Sequence, residues 1–90
     1  MKKVIIDFKP SAFESYEKLS ADKRIGGLAK RYYNELFDFP PGHWGKLREV
    51  FGKNTFVSDN HTLFIIKIVV VEENADSVWL YVTEFKNRRA

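Results

Sequence analysis

The chain has 90 residues, 44% hydrophobic and 30% charged, with 15 Lys and Arg against 12 Asp and Glu for a net charge of +3. That length supports one hydrophobic core and no second domain, and the balance is that of a soluble globular protein. With no cysteine in the chain, a disulfide framework and thiolate catalysis are excluded, which suits a reducing cytoplasm, while the basic surplus favours polyanionic partners.

Residues 2–8, KKVIIDF, are rich in β-branched side chains and run into Lys9 and Pro10, which predicts a first strand stopped by the proline. The apolar part, Val4 to Ile6, is too short for a signal-peptide core, so secretion is not expected. In SAFE, Ser11 and Glu14 stand three apart, the spacing at which each side chain caps the other's backbone amide, and a helix is expected from Ser11 to about Ser20. Its apolar positions are Ala12, Phe13, Tyr16 and Leu19.

A second helix is expected from about Ala21 to Phe37. It has Ile25, Leu28, Ala29, Tyr32, Leu36 and Phe37 on one side and Lys23, Gly27, Lys30, Arg31 and Asn34 on the other. Gly26 and Gly27 each cost about 1 kcal/mol against alanine in a helix interior, which points to close packing on the first helix or to a break. The basic outer face containing Lys30 and Arg31 is first a solvated surface and second an RNA contact.

Residues 40–54, PPGHWGKLREVFGKN, hold three of the five glycines and two of the three prolines, so the helix cannot continue there. Strands are expected at 55–57, 62–71 and 77–85, separated by the turn segments SDNH and EENAD, with a frayed polar tail over 86–90. The most apolar run, Leu63 to Val71, contains Lys67 and is far shorter than the roughly 20 residues of a membrane span. No membrane association is expected.

Strand parity sorts the faces. Phe64, Ile66, Ile68 and Val70 share one side of the long strand, and Leu63, Ile65, Lys67 and Val69 the other. In the last strand Val78, Leu80, Val82 and Glu84 form the set expected under the helices, opposite Ser77, Trp79, Tyr81, Thr83 and Phe85. The uncovered face then sets Lys67 beside Trp79 and Tyr81, a mixture of charge and rings suited to stacking bases and holding phosphates, or to burial under a partner protein.

His43 and His61, with no cysteine and no metal-ligand spacing, predict no metal site. His43 reads as a turn residue and Trp44 as a loop anchor, while His61 is an ordinary hairpin residue that could also contact a phosphate. No nucleotide-binding glycine loop or Ser/His/Asp order is present, and no cofactor is expected.

The order of one strand, two helices and a three-stranded meander resembles the RelE/ParE superfamily of toxins from toxin-antitoxin systems. The stretches that carry the resemblance are VIIDFKPSAFESYEKL, KLREVFGKNTF, NHTLFIIKIVV and VWLYVTEFKNR. It implies a single α+β domain over 1–90, β-α-α-β-β-β, with the two N-terminal helices packed on a mainly antiparallel sheet. It also implies a cytoplasmic endoribonuclease that cleaves mRNA, often on the ribosome, without a metal, and that a cognate antitoxin protein neutralises.

In the family's chemistry a base assists attack of the ribose 2′-hydroxyl on the neighbouring phosphate, cations stabilise the transition state and an acid protonates the leaving oxygen. The residues onto which the resemblance carries these catalytic roles are Lys46, Arg48, Lys53 and Lys86, with His61 as a stand-in acid. Arg88 and Arg89 join Lys67, Trp79, Tyr81, Lys30 and Arg31 as RNA contacts. The segments TFVSDNH and TLFII lack the arginines that many members carry on the central strands. That departure leaves open a noncatalytic member of the fold that binds a host protein, such as a phage or plasmid regulator, or a gyrase inhibitor.

Overall fold

The computed structural model describes residues 3–38, 47–49, 54–58 and 63–88, with the backbone alone for 47–49. In chain order these form β1 (Lys3–Phe8), α1 (Pro10–Ala21), α2 (Gly26–Glu35), a 3-10 turn (Leu36–Asp38), β2 (Leu47–Glu49), β3 (Thr55–Ser58), β4 (Phe64–Glu73) and β5 (Ser77–Asn87). The five strands make one mixed sheet in the order β1-β5-β4-β3-β2. β1 runs parallel to β5, and every other pairing is antiparallel. The expected α+β layering of two helices on a sheet is present; β2 is a strand that the sequence pattern did not predict.

The helix boundaries differ from expectation for local reasons. Pro10, whose fixed φ suits the first helical position, starts α1, and Lys9 precedes it with no side-chain cap. The reciprocal Ser11–Glu14 cap therefore does not form, and Glu14 instead pairs with Lys18 one turn on, at 3.7 Å. Residues 22–25 are a turn and not the start of the second helix. There Asp22 Oδ1 accepts the amides of Arg24 at 2.7 Å and Ile25 at 3.2 Å. Those amide bonds, the Arg24 one first, hold the Asp22 carboxyl below its ordinary range.

Gly26 then opens α2 against the end of α1, where a Cβ would collide with the Ser20 carbonyl oxygen. This is the close packing that one of the two glycines was expected to mark; Gly27 faces open space.

The core lies between the helices and one side of the sheet. Ala12, Ala29, Tyr32 and Leu36 come from the helical layer, and Phe64, Ile66, Ile68, Val78, Leu80, Val82 and Phe85 from the sheet. Burying one such large apolar side chain is worth about 1.5–3 kcal/mol. Phe8, Tyr16, Tyr33 and Phe85 join into a ring cluster with centroid separations from 4.9 to 5.8 Å. Phe13 and Phe37, both expected on buried helix faces, are instead 46% and 44% exposed beside that cluster.

Parity holds along β4 through Val70 and along β5 through Val82, and then fails. Lys67 pairs with Glu84 and Ile68 with Val82, so Thr83 is an extra residue in β5. Past this bulge the alternation restarts one residue late. Phe85, expected on the open face, is 1% exposed in the core, and Glu84, expected under the helices, shares the open face with Lys67. The strand also runs to Asn87, so the expected frayed tail is partly ordered.

Candidate functional site

The open face is built by the five strands of the sheet, whose register sets separated residues in rows. One row takes Arg48 of β2, Val57 of β3, Lys67 of β4 and Glu84 of β5. Lys86 follows two residues after Glu84 on the same strand. The Glu84 carboxylate is held from both sides, with Lys67 Nζ 3.4 Å from Oε1 and Lys86 Nζ 3.5 Å from Oε2. The Thr83 hydroxyl donates to the Lys67 carbonyl oxygen at 3.3 Å and ties the bulge to β4. Two lysines named from sequence thus meet, around a carboxylate that parity had assigned to the other face.

Beside this cluster β5 outruns its neighbour. β1 pairs with it only as far as Phe8 and Val82, after which the Lys9 amide donates to the Val82 carbonyl at 2.9 Å and the chain turns into α1. The space left along the β5 edge is a cleft of about 390 Å³. Lys9, Ser11 and Ser15 line one wall, and Thr83, Glu84 and Lys86 line the other. Cations, hydroxyls and one carboxylate together suit a phosphodiester: lysines can neutralise its oxygens, hydroxyls can hydrogen-bond them, and a carboxylate can take a proton from an attacking alcohol.

The other sequence candidates fall in three groups. Tyr81 and Trp79 lie on the same face, one and two rows further along, paired in register with Asp7 and Ile5 of β1. Trp79 Nε1–H donates to Asp7 Oδ2 at 2.7 Å, so this ring is fixed by a carboxylate and not by a cation. Arg88 folds over the end of the sheet: its amide donates to the Leu63 carbonyl at 2.9 Å and its Nη2 to the Phe64 carbonyl at 3.3 Å. Lys30 and Arg31 are exposed on the outer side of α2, across the sheet from Glu84, and Arg31 pairs with Glu35 at 3.5 Å.

Lys46, Lys53, His61 and Arg89 lie outside the described residues, as do His43, Trp44 and most of the 40–54 segment. Arg48 is placed by backbone register alone.

Glu84 and Asp7 are the site residues that pattern reading missed. A run of VTE before a buried Phe was the available signal for Glu84, since a bulge there keeps the apolar face continuous. Among the described residues no three His, Asp or Glu side chains gather as metal ligands, and no helix is long and apolar enough to cross a membrane. Comparison with protein-family models, with curated proteins and with solved structures gives no match.

Proposed function

We propose that this chain is a RelE-like, cytoplasmic endoribonuclease of the toxin type that cleaves mRNA on the ribosome and is held in check by an antitoxin protein. The observation that carries the reading is the bulge at Thr83, which sets Glu84 between Lys67 and Lys86 at the mouth of the cleft. In the proposed reaction Glu84 accepts the proton of the ribose 2′-hydroxyl as its oxygen bonds to phosphorus. Lys67 and Lys86 offset the charge that builds on the nonbridging oxygens. The bond from phosphorus to the 5′-oxygen breaks, and Lys9 protonates that oxygen, leaving a 2′,3′-cyclic phosphate and a 5′-hydroxyl.

Inducible expression in a bacterium with primer extension on a reporter message tests this reading. Wild type is expected to arrest growth and cut translated regions. Glu84→Gln, with its fold checked by circular dichroism, is expected to cut about 10²–10⁴-fold more slowly, the usual contribution of a positioned base. Intact message with wild type, or undiminished cutting by Glu84→Gln, overturns the assignment.

One observation favours the second reading, a noncatalytic protein-binding module of the same fold. Among the side chains described on the open side, Lys3, Lys67 and Lys86 are matched by Asp7, Glu72 and Glu84, so that part of the face is close to neutral. Growth arrest that persists in Glu84→Gln without any RNA cut would select it.

A further inference from the structure

Five large apolar side chains are exposed among the described residues, and four of them flank β1 from its two sides, Ile5 and Trp79 on the open face and Phe13 and Phe37 on the helical side. Ile5 belongs to the strand and pairs in register with Trp79. Phe13 packs edge-on to Phe8 at 5.5 Å. Phe37 packs edge-on to Tyr33, which itself stacks on Phe8 at 5.8 Å. β1 is also an outer strand of the sheet, and edges left this apolar are the ones that pair with another chain.

The backbone shows how it would pair. The Lys3 and Lys9 amides donate inward, to the Asp76 and Val82 carbonyls at 2.9 Å each. Odd-numbered residues of β1 therefore direct their amides and carbonyls to β5, and Val4, Ile6 and Phe8 direct theirs outward. A second β1 laid antiparallel about a twofold axis at Ile5 brings Val4 opposite Ile6 of the other copy, and the two residues exchange both backbone hydrogen bonds. Ile5 then faces its own copy in a non-hydrogen-bonded pair, where side chains approach most closely. On the same face Lys3 stands opposite Asp7 of the other copy, twice over by symmetry. Moving the axis to Ile6 would set Lys3 against Lys9 and Ile5 against Asp7, losing both matches.

We propose that β1 is a self-complementary interface through which two copies of this chain join their sheets into one, centred on Ile5 and set in register by Lys3 and Asp7. The occupant is a second copy because the strand's charge order, Lys3-Ile5-Asp7, complements its own reversal, as a twofold interface requires. The proposal is independent of whether the cleft at Glu84 cleaves RNA, since the pairing ends before β5 reaches it.

The absence of native cysteine makes a single-cysteine test clean. In such a pair the Cα atoms lie about 4.5 Å apart, within disulfide reach. Ile5→Cys is expected to give a covalent dimer under mild oxidation, and Lys23→Cys, in the exposed turn, is expected to stay monomeric. By sedimentation across a dilution series, wild type is expected to dimerise. Asp7→Lys should weaken the dimer by roughly tenfold, because like charges now face each other twice. Lys3→Asp combined with Asp7→Lys should restore it. A monomeric wild type at all concentrations, cross-linking of Ile5→Cys no faster than Lys23→Cys, or failure of the double swap to restore the dimer overturns the proposal.

Discussion

The two halves of β5, the largely apolar SVWLYV before Thr83 and EFKN after it, each alternate inward and outward residues and have opposite uses. Before it, Val78, Leu80 and Val82 are each fully buried between β1 and β4, and the strand is a central element of a continuous sheet. After it, β1 has ended, one edge of the strand lines a cleft, and the outward residues are Glu84 and Lys86. One inserted residue separates a structural half from a candidate chemical half. A bulge re-aims side chains without interrupting the core, because Phe85 takes the inward place that strict alternation would give Glu84.

The largest effect that would break this comparison is on Phe85. If the alternation continued unbroken, Phe85 would lie on the open face and its loss would be nearly neutral. In the structure it is buried against Tyr16 at 4.9 Å and Phe64 at 5.7 Å. Phe85→Ala is therefore expected to cost about 3–5 kcal/mol, comparable to or above the 2–5 kcal/mol of Leu80→Ala in the other half. Urea denaturation of both variants measures it, and a Phe85→Ala cost below that of an exposed substitution would remove the bulge from the account.

The same residues explain what was legible in the sequence. The order of strand, two helices and meander, and the shared face of Lys67, Trp79 and Tyr81 follow from local periodicity, which depends only on neighbours a few residues apart. The bulge depends on which β4 residue faces Val82, and the Trp79–Asp7 hydrogen bond joins residues 72 apart in the chain. Neither leaves a periodic trace. Register between distant strands is settled by packing, and here packing preferred a buried phenylalanine and an exposed glutamate over unbroken alternation. β2 was missed for a related reason: Leu47–Glu49 is a strand by virtue of pairing with β3, not by its own propensity.

A smaller effect sharpens the comparison at the far end of the sheet, where β4 receives the distal half of β5 on one side and β3 on the other. The β3–β4 ladder ends at Val57 and Lys67. Beyond it the buried Ser58 hydroxyl donates to the Phe64 carbonyl at 2.9 Å and accepts the Ile66 amide at 3.0 Å. A side chain thus continues a ladder that the backbones no longer make. Ser58→Ala strands the buried Ile66 amide, while Arg88 Nη2 still donates to the Phe64 carbonyl at 3.3 Å, and the substitution is expected to cost about 1–3 kcal/mol. Hydrogen exchange should localise the loss, with the Ile66 amide deprotected far more than that of Leu80. Equal deprotection would show that the two halves open together.

The smallest effect concerns pH and the ring cluster on which the distal half rests. Burial, and secondly the neighbouring Tyr33, raise the pKa of the Tyr16 hydroxyl above its ordinary value. The folded state therefore holds the neutral phenol more firmly than the unfolded chain does. By linkage this stabilisation is fully present below the unfolded tyrosine pKa, about 10, and is lost as pH rises from there through the raised folded value. Tyr16 stacks on Phe8 at the end of β1 and meets Phe85 edge-on, so its ionisation loads the joint between the two halves of β5. Wild type is expected to lose thermal stability on this alkaline limb more steeply than Tyr16→Phe, with the two curves parallel at neutral pH. Because the hydroxyl is only partly buried, the difference should be modest. Parallel curves throughout the alkaline range would mean that the phenol ionises at the cluster's rim without disturbing it, and that the joint is held by Phe85 and Phe8 alone.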